Sequence, residues 1–61
     1  MKLDKIKVAT IRDNLVNYKA TLDCFSPEGD RILVRTAKGK AIWLSTAATI
    51  LDIIPDYVME V

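Results

Sequence analysis

Two turn sequences punctuate the middle of this chain and constrain what surrounds them. Ser26-Pro27-Glu28-Gly29-Asp30 places proline and glycine two apart among small polar and acidic residues, a strong turn composition. Lys38-Gly39-Lys40 is the second turn. Between them Arg31 to Ala37 alternates, with Ile32, Val34 and Thr36 facing one way and Arg31, Leu33 and Arg35 the other. That is the period of a half-buried strand. The second turn then closes a tight hairpin into Ala41-Ile42-Trp43-Leu44.

The flanking segments also read as strands. Lys5 to Ile11 begins by alternating charged and apolar residues, which predicts a strand. Arg12-Asp13-Asn14 is a candidate turn, because Asp and Asn tolerate unusual backbone angles. Leu15 to Phe25 follows, with Tyr18, Ala20, Leu22 and Cys24 on one face and Lys19, Thr21 and Asp23 on the other. A competing reading makes residues 3–16 a helix with Leu3, Ile11 and Leu15 on one stripe. Near the end, Ser45 or Thr46 can cap a short helix, with Ala47, Ile50, Leu51 and Ile54 at helical spacing and Pro55 as its stop. Asp56 to Val61 reads as a last strand. The expected order is β-β-β-β-α-β, one helix lying near 46–54. This is a mainly β chain, and a small closed barrel of SH3-like or OB-like type would satisfy its strand edges.

The chemistry available is narrow. At 61 residues there is room for one domain, 1–61, with one small core. The 51% apolar content argues against a disordered tail. With no histidine, a Ser-His-Asp or Cys-His nucleophile system and any His-ligated metal are excluded. Cys24 is alone, so an internal disulfide and a CxxC site are excluded too. It reads as a small apolar strand residue rather than a reactive thiol, because no cation is close by in sequence. No glycine-rich phosphate loop is present, and Asp52, Asp56 and Glu60 do not share a helical face if the helix stops at Pro55. An enzyme and a bound cofactor are therefore not expected. The three lysines of Met1 to Lys7 lead into no apolar segment, and no apolar run approaches the length of a membrane span. A lone thiol suits a reducing compartment, so the expected location is cytoplasmic. The short length and initial Met lead to the expectation of a complete small product of phage, plasmid or bacterial accessory type.

The net charge of +1 is a cancellation. Residues 31–40 carry four basic side chains, Arg31, Arg35, Lys38 and Lys40, and no acidic one. Residues 21–30 carry three acidic side chains and residues 41–61 three more, neither stretch having a basic one. The basic hairpin is either a patch for phosphates or an acidic protein, or a solvated strand face balanced by Asp23, Glu28 and Asp30. Trp43 follows it directly. A single Trp in so small a domain is most often core, yet Trp interleaved with basic residues also marks nucleic-acid grooves and protein hot spots. Tyr18 and Tyr57 are expected to be partly exposed, since the phenol needs a polar partner.

Ile54-Pro55-Asp56-Tyr57-Val58 resembles the closing segment of SH3 domains, and Trp43-Leu44 resembles the Trp that opens one of their strands. The resemblance covers about twenty residues. It implies a small barrel, and it would map Trp43, Pro55 and Tyr57 to a groove for proline-rich peptides.

Three functions are then expected, in order. The first is a non-enzymatic protein-binding module, a small regulator or inhibitor of a larger intracellular protein, using Arg31, Arg35, Lys38 and Lys40 at the rim and Tyr18 or Trp43 as anchor. The second is a single-stranded nucleic-acid-binding barrel using the same hairpin. The third is a structural subunit of a homo-oligomer. No membrane partner is expected.

Overall fold

The computed structural model describes residues 4–59. Among these, an α-helix, α1 (Lys5–Val16), precedes three strands, β1 (Thr21–Phe25), β2 (Arg31–Arg35) and β3 (Ala41–Ser45). A short helix, α2 (Thr46–Ile50), and a 3₁₀ turn, Asp56–Met59, complete the described residues. The strands form an open antiparallel meander in the order β1-β2-β3. The expected barrel and its β-β-β-β-α-β order are thus corrected to a mixed α/β domain whose sheet does not close.

The first correction is α1. Lys5 to Ile11 is helix, not strand, and Arg12-Asp13-Asn14 continues it rather than turning. Local preference does not explain this, since Ile6, Val8, Thr10, Ile11 and Val16 are β-branched. Its start is capped by Asp4, whose Oδ1 accepts the Lys7 N–H at 2.8 Å. Only Ile11 and Leu15, four residues apart, are buried along it, while Ile6 and Val16 are exposed. Tertiary packing of that narrow stripe, and not propensity, stabilises α1. Asn14 adds a second tie, donating from Nδ2 to the carbonyls of Thr49 at 2.8 Å and Ile50 at 3.4 Å. It thereby satisfies carbonyls at the end of α2, which have no partner within their own helix.

Both helices end without glycine. Lys19 and Asp52 take left-handed φ angles of 56° and 60°. The Lys19 N–H donates to the Val16 carbonyl and the Ala20 N–H to that of Leu15. Asp52 and Ile53 repeat the pair of bonds to Thr49 and Ala48. These are the two bonds of a Schellman closure, and they stop α2 at Ile50, well before Pro55. The expected helix over 46–54 is therefore shorter. Its buried side chains are Thr46 and Thr49, whereas Ala47 and Leu51 from the expected apolar stripe are exposed. Ser45 is the cap, its Oγ accepting the Ala48 N–H at 3.3 Å.

The expected strand over Leu15 to Phe25 shortens to β1, because Tyr18 and Lys19 belong to the helix closure. Pairing also slips between Leu22 and Cys24, leaving Asp23 in a bulge. Leu22 and Phe25 thus share one face, against Val34 and Ile32, and Cys24 moves to the other, against Leu33. The hairpin from β2 to β3 follows the predicted alternation. Its turn places Gly39 at φ 82°, where a side chain would be strained. Asp56 to Met59 is 3₁₀ turn rather than strand; Glu60 and Val61 lie outside the described residues.

The core sits on one side of the sheet. Ile32, Val34 and Leu44 of the sheet and Ile11 and Leu15 of α1 share one buried cluster, with Ala20, Ile54 and Val58 completing it. Leu22, Phe25, Ile42, Ile50 and Tyr18 pack around it.

Two outcomes follow from the helix ends. Lys19→Gly should raise unfolding free energy by about 0.5–1 kcal/mol by relieving the left-handed lysine, and Asp52→Gly by less, since Asp tolerates that conformation better. Asn14→Ala should lower it by about 1 kcal/mol, because the tie from α1 to the end of α2 is lost while the Thr49 carbonyl keeps the Asp52 N–H. Urea midpoints of the three variants against wild type check both.

Candidate functional site

The register assigns every strand side chain to a face. On the core face, Phe25–Ile32–Leu44 and Leu22–Val34–Ile42 form rows across the sheet. On the opposite face the central row is Cys24–Leu33–Trp43, followed by Thr21–Arg35–Ala41, with Arg31 opposite Ser45 at the other end. No helix among the described residues packs on this second face: the buried residues of α1, α2 and the 3₁₀ turn belong to the core side or, for Thr46 and Thr49, to the helix junction. Trp43 is accordingly 47% exposed, Cys24 is exposed and Leu33 half-buried.

The two arginines of this face are held differently. The Arg31 guanidinium lies over the Trp43 ring, 5.4 Å from its centroid, the diagonal placement that an antiparallel pair allows. The contact joins a cation to the negative face of the indole. Arg35 is tied on two sides. Its Nη2 lies 3.2 Å from Asp23 Oδ2, and its Nη1 donates to the Gly39 carbonyl at 3.2 Å. Asp23 lies two residues along β1 from Thr21, the cross-strand partner of Arg35. Arg35 therefore braces β1 against the β2–β3 turn, and much of its charge is neutralised locally.

Of the residues singled out from sequence, the structure gathers Arg31, Arg35 and Trp43 on one face. Lys38 and Lys40 are exposed in the turn at one end of the sheet. Tyr18 does not join them. It sits in the turn after α1, half-buried against the core. Leu33 and Cys24 complete the apolar row. Alternation alone places Leu33 beside the arginines; Cys24 reaches that face only through the bulge, for which the sequence carries no turn residue. Pro55 is half-buried and Tyr57 is 55% exposed, both beyond α2.

Other features are chemically sparse. A shallow groove of about 200 Å³ runs between α1 and β1, lined by Arg12, Val16, Ala20, Thr21 and Leu22. That is below the usual size of a small-molecule site. Among the described residues no group of His, Cys, Asp or Glu is placed to hold a metal. No described helix is long and apolar enough to cross a membrane. Comparison with protein-family models, curated proteins and solved structures finds no match to this chain.

The two faces should differ sharply under substitution. Trp43→Thr should change unfolding free energy by less than about 1 kcal/mol, the scale of an exposed cation–π contact. Ile32→Ala on the buried face should cost about 2–4 kcal/mol. Denaturation of the two variants side by side measures the contrast.

Proposed function

We propose that this protein is a non-catalytic protein-binding module whose recognition surface is the open face of its sheet. In this reading it is a small regulator or inhibitor of a larger intracellular protein. The observation that carries it is the exposed Trp43, capped by Arg31 and continued by Leu33 and Cys24 across three strands. Trp and Arg dominate protein hot spots, where a central apolar anchor is ringed by polar groups. Here Trp43 and Leu33 are the anchor, and Arg31, Lys38 and Lys40 the rim, which favours a partner with an acidic border. A rigid sheet presents these groups with little ordering cost on binding. An interface of standard size takes roughly 800 Å² from each partner, a substantial share of the total accessible surface of 4246 Å².

Nucleic-acid binding on the same face is the weaker reading. A base stacking on Trp43 must first displace Arg31, and Arg35 is already engaged by Asp23.

Affinity capture with matched variants tests the proposal. A partner should be retained by wild type and by Lys5→Glu, which alters an exposed residue of α1. Leu33→Asp and Arg31→Glu, each checked for native circular dichroism, should retain it at least about tenfold less, as expected for hot-spot residues. A partner held equally by Leu33→Asp would contradict the proposal. So would an oligonucleotide that quenches Trp43 at physiological salt while no protein is retained.

A further inference from the structure

We propose that two copies of this chain join their sheets edge to edge through β3, antiparallel and in a register centred on Trp43. This does not rest on the reading of the open face as a recognition surface; it starts from the backbone edge of β3.

The hydrogen bonds determine which groups the edge offers. At one end of the hairpin the Thr36 N–H donates to the Lys40 carbonyl at 2.8 Å, and at the other the Thr46 N–H donates to that of Asp30 at 3.0 Å. Antiparallel alternation between these points turns the backbone groups of Ile42 and Leu44 toward β2. Those of Ala41, Trp43 and Ser45 point outward, away from the sheet. An outward row of N–H and C=O groups is a template for another strand.

The two edges of the sheet are not equivalent. β1 is interrupted by the bulge and carries Asp23, both devices that discourage pairing. β3 pairs with β2 residue for residue and contains no charge, proline or bulge across Ala41-Ile42-Trp43-Leu44-Ser45. One guarded edge and one open edge permit a closed pair and not a fibre.

The occupant is another copy because β3 complements itself. Around Trp43 the strand reads small, aliphatic, Trp, aliphatic, small. Antiparallel pairing about Trp43 sets Ala41 against Ser45, Ile42 against Leu44, and Trp43 against its mate. Lys40 falls opposite Thr46, so no like charges meet. The half-buried Ile42 gains Leu44 of the second copy on the core side, and the two Trp43 rings come side by side on the open face. Each Trp43 can exchange both backbone bonds with its mate. At the ends the Ser45 N–H carries the pairing, since the Ser45 carbonyl already accepts Thr49 Oγ1 at 2.8 Å.

The test uses the full chain in a mixture of isotope-labelled and unlabelled copies, with sedimentation over a concentration series. The expected result is a concentration-dependent dimer with a contact between the α-protons of Ile42 and Leu44 from different copies. Those residues face one another at about 4.5 Å between Cα atoms in such a pair. Within one chain they are about 7 Å apart along the strand, so the contact reports only pairing between copies. N-methylation of the Trp43 amide, introduced by chemical synthesis, should weaken the dimer at least about tenfold while leaving the fold intact. Trp43→Lys, which sets two cations face to face, should do the same. A monomer at every concentration would overturn the proposal, as would a dimer without the Ile42–Leu44 contact or one indifferent to N-methylation.

Discussion

A sheet has two faces, and this chain has helix enough to cover one. Ile11 and Leu15 of α1 and Ile32 and Val34 of β2 belong to a single buried cluster, and the rest of the molecule is arranged around that cluster. Ile54 and Val58 close the cluster from the C-terminal side. Once they are placed, no described element remains for the opposite face. A domain near 60 residues buries a smaller fraction of its surface than a larger one, so the uncovered face follows from size as much as from sequence. Trp43 and Cys24 are exposed there because no described element covers them.

The bulge at Asp23 determines what that face contains. Without the slip in register, Cys24 would lie with Leu22 on the core side, and the row across the sheet would lack its third member. At the bulge itself, Asp23 sets a carboxylate against Arg35. The four basic side chains of residues 31–40 thereby divide. Arg35 braces the strands, Arg31 stacks on Trp43, and Lys38 and Lys40 stand in the turn. The charge segregation visible in the sequence is real along the chain, but in space part of it is spent holding β1 to the hairpin. What remains is an aromatic and aliphatic row with cations at its border.

How much of this could be read beforehand depends on where the punctuation sits. Gly29 and Gly39 take positive φ in the two central turns, and there the sequence signals led to the right strands and to the shared face of Arg31, Leu33 and Arg35. The helices carry no such marks. Their left-handed closures fall on Lys19 and Asp52, residues that do not advertise a stop, so Leu15 to Phe25 looked like one continuous strand. The β-branched run in Lys5 to Ile11 points to strand, and tertiary contacts of Ile11, Leu15 and Asn14 outweigh it. The alternative helix over 3–16 names two of the side chains that α1 buries; its third, Leu3, lies outside the described residues. At the C-terminus, apolar spacing predicts a stripe through Ala47, Ile50, Leu51 and Ile54; Ile54 is buried and Ile50 packs on the core, while Ala47 and Leu51 are exposed and Thr46 and Thr49 are buried instead. Short elements of this kind are positioned by what they pack against, which local pattern does not encode.

The central claim is that the sheet is covered on one side only, with Trp43 on the water-facing side. Because Trp43 is the only tryptophan, acrylamide quenching of the folded protein at low micromolar concentration tests it directly. The account predicts efficient quenching in the native state and a red-shifted emission that changes little on unfolding. A blue-shifted emission shielded from acrylamide until the chain unfolds would place Trp43 in the core and contradict it.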